Sequence, residues 1–142
     1  EFALADVEIC RRIQRLPNVE LGNHSNVHHR SVLLDAGQFR AELGASAHDF
    51  ARLFGPARHF AFPFGVPGVD FGRSHVSAVR ELLDVEIWST EPRPYRPSER
   101  EQGAVLPRFA VDGTRSWRAT VAHIALRSLL TAWPVRGPVE MR

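Results

Sequence analysis

Residues 19–30, VELGNHSNVHHR, are the stretch from which the fold and the expected chemistry of this chain follow. The apolar run Val19 to Gly22 predicts a strand, and three histidines, His24, His28 and His29, come after it. If the backbone turns helical after the strand, His24 and His28 are neighbours at positions i and i+4 on one helix face. Two neutral imidazoles can share one divalent transition metal, although a catalytic zinc site needs further ligands. The same spacing also arises by chance on surface helices, so a structural role stays open.

Length and composition predict one globular domain. The chain has 142 residues, of which 44% are hydrophobic and 24% charged, as in ordinary folded domains. All 18 basic residues are arginines, spread along the chain against 16 acids. Without a basic block, nucleic-acid binding is not predicted. No apolar run approaches the roughly 20 residues that cross a bilayer, so no membrane span is predicted. Cys10, the only cysteine, excludes an intrachain disulfide and is expected to be buried in a helix. The sequence does not indicate the cellular compartment of the protein.

Helices and strands are predicted to alternate on both sides of the histidines. Apolar spacing and capping residues predict helices over 6–16, 36–54, 74–83 and 116–132, strands over 58–65 and 84–88, and a proline-rich loop over 91–102. Such alternation is typical of βα units around a parallel sheet or barrel, where ligands bind at the carboxyl ends of strands. We therefore expect His24, Phe64 and Trp88 at one end of the sheet, because each closes an apolar run.

The run His24-Ser25-Asn26-Val27-His28 resembles a motif of a known enzyme family. The family is the polysaccharide deacetylases of carbohydrate esterase family 4, metal-dependent enzymes that remove N- or O-acetyl groups from sugars, and their second motif is H-[ST]-x-x-H-P. His29 stands where the family usually has proline, which alters loop stiffness more than ligand chemistry. The resemblance implies His24 and His28 as metal ligands, zinc as the expected ion, and an acetylated sugar or polysaccharide as substrate.

Later runs resemble the same family. F-A-F-P-F-G, residues 60–65, is similar to its third motif, R-x-P-x-G or F-A-Y-P-Y-G, which implies that the Phe64 backbone amide stabilises an oxyanion. Ala61 takes the place of an arginine that orients the catalytic aspartate in other members. The resemblance also implies substrate contacts for Pro63 and for Trp88 in W-S-T-E-P. Residues 106–114 resemble the subgroup's L-P-R-x-x-V-D-G-T run. From the residues alone, 58–65 fits a buried strand with an ordinary turn equally well, and Trp88 a core aromatic.

The first motif of the family, T-F-D-D-G, has no counterpart here. It supplies the catalytic base and the third metal ligand, and this chain contains no adjacent aspartates. Three acids, Asp35, Asp49 and Asp70, could approach the histidines, but none lies in a matching motif. The base is therefore unassigned.

The sequence thus leads to two functional hypotheses. The first is a metal-dependent hydrolase that deacetylates a carbohydrate, impaired in this chain alone. The second is a non-catalytic carbohydrate-binding or scaffold domain with an incomplete metal site. In either case we expect residues 1–142 to form one deacetylase-like α/β domain, a partial or irregular (β/α) barrel of parallel βα units, N-terminally incomplete.

Overall fold

Short parallel strands and longer helices alternate along the chain. The computed structural model describes residues 6–109, 114 and 116–132, the last helix with side chains to residue 126. The elements are α1 (Val7–Gln14), a 3-10 turn (Ser31–Leu33), α2 (Ala36–Phe54), β1 (His59–Ala61), α3 (Arg73–Leu82), β2 (Glu86–Ser89), α4 (Pro97–Glu101), β3 (Leu106–Pro107) and α5 (Trp117–Ala132). The predicted α/β alternation is confirmed.

The described strands form one parallel sheet in the order β1, β2, β3. Ala61 lies opposite Trp88, and Trp88 lies opposite Leu106. On the free side of β1, Asn23 forms a parallel bridge with Phe60. These pairings align the carboxyl ends of the strands along one edge. Closure of the sheet into a barrel stays a prediction.

The strand predicted over 19–22 is wrong, because pairing with β1 begins only at Asn23. The Asn23 N–H donates to the His59 carbonyl at 2.9 Å, and the Ala61 N–H donates to the Asn23 carbonyl at 3.0 Å. Earlier in the chain, the Val19 N–H is held by the Leu16 carbonyl in the turn after α1. Since a single bridge is enough to fix the register, the residues after Asn23 still leave β1 at the carboxyl edge of the sheet.

Two helices cover one face of the sheet and form the core with it. The buried cluster combines side chains of α2, α3, the strands and the segments that follow them: Phe39, Leu43, Phe60, Phe62, Phe71, Val76, Ala78, Val79 and Ile87. The rings of Phe62 and Phe71 stack with centroids 4.0 Å apart. Burying an aromatic side chain of this size stabilises a fold by about 1.5–3 kcal/mol. The core therefore anchors Phe62, directly before the Pro63-Phe64-Gly65 turn.

Several predicted boundaries differ from the structure. Helix α3 is capped by Gly72, not Ser74, because the Gly72 N–H donates to His75 Nδ1 at 3.0 Å. The segment predicted as a loop contains α4, which starts at Pro97, a residue suited to the first helical position. Cys10, which was expected to be buried, is only partly buried in α1. In α5, Val121 is 40% exposed. The chain after Ala132 and the V-D-G part of the L-P-R-x-x-V-D-G-T run lie outside the described residues. None of the described helices is both long and apolar enough to span a bilayer.

Candidate active site

A tightly bonded loop carries the two histidines at the carboxyl edge of the sheet. The Asn23 side chain is buried, accepts the Ser25 N–H at 2.8 Å and donates to Ser46 Oγ on α2 at 3.2 Å. The Ser25 hydroxyl donates to Glu42 of α2 at 2.8 Å and accepts the His28 N–H at 3.2 Å. Asparagine and serine side chains that bond nearby backbone in this way compete with helix formation. The loop is consequently fixed to α2 without being a helix itself.

The backbone that carries His24 and His28 is not helical, so the condition for their i and i+4 pairing is not met, yet the loop brings the two rings together. Ser25 and His28 have φ angles of 68° and 52°, in the left-handed region that an α-helix does not use. The imidazoles of His24 and His28 meet edge to face, with ring centroids 4.9 Å apart. Local hydrogen bonding, and not helical periodicity, accounts for the H-S-x-x-H spacing.

One nitrogen of His24 is engaged by the sheet. His24 Nδ1 lies 2.7 Å from the Ala61 carbonyl oxygen, which can only accept, so Nδ1 carries the proton and Nε2 keeps its lone pair. Burial lowers the pKa of His24, while the hydrogen bond to Ala61 raises it, and the charges of Arg108 and His28 lower it further. His24 is therefore neutral near pH 7 with Nε2 as its available ligand atom. A backbone carbonyl on the other nitrogen is a common way to orient a metal-binding histidine.

Phe64 occupies a strained turn next to the histidines. The φ of Phe64 is 59°, and the Gly65 N–H donates to the Pro63 carbonyl at 2.6 Å. The three residues therefore form a γ-turn centred on Phe64, of the type with positive φ, which is rare and strained. Gly65 follows with φ 81°, and a Cβ there would lie 2.6 Å from Thr90 Oγ1. Among the described residues, the Phe64 N–H has no hydrogen-bond acceptor. The turn thus presents a free backbone donor at the edge of the sheet.

The described non-glycine residues with positive φ are all in this region: Ser25, His28 and Phe64. Strain of this kind costs about 1–3 kcal/mol per residue and collects at functional sites. The His28 ring lies 5.0 Å from the Phe64 ring, and the Arg30 guanidinium lies 5.0 Å from that ring on its face. The structure therefore brings His24, His28 and Phe64 into one contiguous group, with Arg30 beside it.

The structure places Trp88 and Pro63 in other surroundings. The Trp88 indole N–H donates to His59 Nδ1 at 3.3 Å, in a polar group where His59 Nε2 also lies 2.5 Å from Glu20. The hydrogen bond from His59 lowers the pKa of Glu20, and Arg58 adds to that effect. Pro63 is buried and lines a cleft between the histidine loop and α2. Substrate contacts for both residues stay predictions.

Each of the three candidate acids already has a polar partner other than the two histidines. Asp35 caps α2, Asp49 accepts from Asn26, and buried Asp70 pairs with Arg30 Nε at 3.3 Å. Within the described part of the chain, no three His, Cys, Asp or Glu side chains are grouped to hold a metal. The sequence did not predict the roles of Glu42, Asn23, Arg30 or Arg108 around the histidines. Only Arg108 had a signal, as the arginine of the L-P-R run.

Comparisons with known proteins return little. No protein-family profile matches the chain, and no curated protein matches it. One solved structure is similar: the Xyl-CE4 domain of a multidomain xylanase from the hindgut metagenome of Trinervitermes trinervoides, with 15% sequence identity and a TM-score of 0.49 over 84% of this chain. The chain spans 61% of the length of that structure.

Proposed function

We propose that His24 and His28 are two ligands of a divalent metal, zinc being the expected ion, in a site of the polysaccharide deacetylase type. One observation carries the proposal: the imidazoles lie 4.9 Å apart while the Ala61 carbonyl leaves His24 Nε2 unprotonated. Neutral imidazole nitrogen is a preferred ligand of zinc. The resemblance of the H-S-N-V-H and F-A-F-P-F-G runs to the family motifs supplies the reaction class, hydrolysis of an acetyl group on a carbohydrate.

Different residues of the chain would have different roles in such a reaction. A bound metal would polarise the acetyl carbonyl and lower the pKa of its water. Ala61 orients the His24 ring, and the Ser25–Glu42 pair holds the loop that carries His28. The Phe64 amide, which has no acceptor among the described residues, would donate to the oxyanion, a contribution that reaches about 2.7–4 kcal/mol in enzymes where one such donor has been removed. A third ligand and a general base have no assigned residue.

The alternative is a non-catalytic carbohydrate-binding or scaffold domain. It is favoured by the lack of a three-ligand group within the described ranges. Phe64, 47% exposed, would then offer apolar surface to a bound sugar. Binding of an acetylated oligosaccharide that is unchanged by zinc or by chelator would support this alternative over the hydrolase.

Zinc titration by calorimetry tests the metal proposal. The double variant His24→Ala/His28→Ala should bind zinc at least about 100-fold more weakly than the parent, since even partners that only orient a ligand are worth about 10–100-fold. His29→Ala is the matched control, because His29 is the next histidine in the chain but faces the cleft against Pro63 and Leu34. It should bind zinc as the parent does. Equal affinity of the double variant and the parent would remove both histidines from the site.

A further inference from the structure

Asp70 is a buried carboxylate that is bonded to the loop following the Phe64 turn. Its side chain is only 3% exposed. Its Oδ2 accepts the Val66 N–H at 2.9 Å, and its own backbone N–H donates to the Val66 carbonyl at 2.9 Å. Arg30 Nε lies 3.3 Å from the other oxygen, Oδ1, close enough for an ion pair but outside hydrogen-bond geometry. One oxygen of Asp70 thus binds the loop, and the other pairs with Arg30.

The negative charge of Asp70 is not needed for its bond to the loop. The Val66 N–H requires only an acceptor oxygen, which a neutral asparagine also supplies. A buried carboxylate costs free energy unless a counter-charge offsets its lost hydration. The charge of Asp70 is therefore useful in the pair with Arg30, and the purpose of the pair is found in what Arg30 contacts.

Arg30 connects Asp70 to the candidate active site. The guanidinium carbon of Arg30 lies 5.0 Å from the centre of the Phe64 ring, and the His28 ring lies 5.0 Å from the same ring. A guanidinium in this position is attracted to the face of the aromatic ring. The Arg30 side chain is 49% exposed, and its pairing with a buried carboxylate limits the orientations that it can adopt. Asp70 also accepts the Val32 N–H on its backbone carbonyl at 3.1 Å, which fixes the chain just after Arg30.

Asp70 therefore acts on Phe64 by two routes. Along the backbone, it binds Val66, two residues after Phe64. Through space, it pairs with Arg30, which contacts the Phe64 ring. Phe64 has a φ of 59° and a side chain that is 47% exposed, so the core does not fix its ring. A strained turn persists only where its surroundings over-determine it, and these two contacts are constraints of that kind.

We propose that Asp70 is a positioning residue of the candidate active site. Through Arg30 it holds the Phe64 ring against His28, and through the Val66 N–H it holds the turn that presents the Phe64 amide. The consequence for an oxyanion at that amide rests on the proposed function. The placement of the ring does not.

NMR of the metal-free chain tests the proposal. In the parent, ring protons of Phe64 and His28 should show a nuclear Overhauser contact, and the ring current of Phe64 should shift the Arg30 side-chain protons upfield. Asp70→Asn keeps an oxygen for the Val66 N–H but removes the charge that holds Arg30. Both the contact and the upfield shift should be lost in this variant, while the fold is retained.

Two further variants serve as references. Phe64→Leu removes the aromatic ring and gives the unshifted positions of the Arg30 signals. Glu81→Gln is the matched control, because it takes the carboxylate from another arginine–carboxylate pair, that of Arg40 and Glu81 on the exposed surface. It should leave both the ring contact and the Arg30 shift as they are in the parent.

Arg30→Gln tests whether Asp70 acts through Arg30. It should lose the Phe64–His28 contact as Asp70→Asn does, and the double variant should lose no more than either single variant, since residues of one network are not additive. Arg30→Gln also keeps the proposal testable if Asp70→Asn does not fold.

A role of Asp70 in stability alone gives a different result. A folded Asp70→Asn variant with a lower urea midpoint, but with the ring contact and the Arg30 shift unchanged, would overturn the proposal. So would a folded Arg30→Gln variant that keeps the Phe64–His28 contact. Because zinc is absent throughout, these results do not depend on whether His24 and His28 bind metal, and a failed zinc titration would remove the proposed function without affecting them.

Discussion

At the scale of single residues, the hydroxyl of Ser25 explains why the second histidine lies where it does. It donates to Glu42 and accepts the His28 N–H, so one oxygen joins α2 to the turn that aims His28. The sequence predicted the pair of histidines, and made their proximity depend on a helix that the structure does not contain. It could not reveal the actual cause, because the bonds of Ser25 depend on α2, seventeen residues away along the chain.

Substitution of Ser25 should separate ligand orientation from ligand identity. Ser25→Ala removes both hydrogen bonds while both histidines remain, so zinc affinity should fall by about tenfold, the lower range for partners that orient ligands. Glu42→Gln keeps an oxygen that accepts the Ser25 hydroxyl and should retain most of the affinity. Calorimetric titration of both variants measures the effect. If Ser25→Ala binds zinc as tightly as the parent, His28 does not need this loop geometry to act as a ligand.

Gly65 and Gly44 form a matched pair of glycines. Gly65→Ala should destabilise the fold by more than about 1 kcal/mol, because its φ is 81° and the new Cβ would lie 2.6 Å from Thr90 Oγ1. Gly44→Ala, in the middle of α2 with no atom within 4 Å of the added Cβ, should stabilise the fold by about 0.5–1 kcal/mol. Urea unfolding of the two variants checks both signs. A neutral Gly65→Ala would mean that the Phe64 turn relaxes without cost.

At the scale of elements, sequence prediction succeeded where the determining signals are local. Helix α2 begins and ends where expected, because the Asp35–Gln38 capping box and Gly55 define its ends within the chain itself. The predicted strand 19–22 failed because pairing depends on distant partners, and Asn23 alone reaches β1. Helix α4 was missed because three prolines suggested a loop, although Pro97 is favourable at a helix start. The start of α3 was misassigned because a histidine at its third position, and not Ser74, completes the cap.

The cap of α3 makes stability depend on pH. Burial lowers the pKa of His75, although its bond to the Ser31 carbonyl acts in the opposite direction. In the unfolded chain the pKa of His75 is about 6.5. Between that value and the lower pKa of the folded state, the unfolded chain therefore binds more protons than the folded chain does. The contribution of His75 is complete above about pH 6.5 and is lost as the pH falls through the folded pKa. Protonation of Nδ1 also removes the acceptor of the Gly72 N–H.

His75→Gln should flatten this dependence. Glutamine at the third helical position can still accept the capping bond but does not titrate. Between pH 7.5 and pH 5.5, the urea midpoint should fall less in the variant than in the parent, and the difference isolates His75 because His24 titrates in both proteins. Identical pH profiles would show that the α3 cap does not respond to protonation.

At the scale of the whole molecule, the sheet gathers residues from three separate segments at one edge. His24 and His28 follow the Asn23 bridge, Phe64 follows β1, and Arg108 follows β3. The alternation of strands and helices predicted this meeting of strand ends for His24 and Phe64. Their contact through the His28 ring, and the reach of Arg108 to Phe62, depend on side-chain packing that periodicity does not encode.

The 142-residue chain should deacetylate sugars slowly or not at all, even with zinc supplied. It contains no adjacent aspartates, and loss of a general base alone typically lowers a rate by about 10² to 10⁴. Assay with an acetylated chito-oligosaccharide, with and without chelator, measures the residual rate. Fast turnover that a chelator abolishes would mean that another acid serves as base, and Asp35, Asp49 and Asp70 would be the first to substitute.

The central claim, that His24 and His28 share one metal, is tested most directly by NMR of the histidine ring nitrogens during zinc addition. The seven histidines give separate signals to assign. With one equivalent of zinc, His24 Nε2 and one ring nitrogen of His28 should shift together, while His24 Nδ1 stays protonated on the Ala61 carbonyl and His29, His48 and His123 do not change. Zinc that shifts neither His24 nor His28, or that shifts only one of them, would contradict the account.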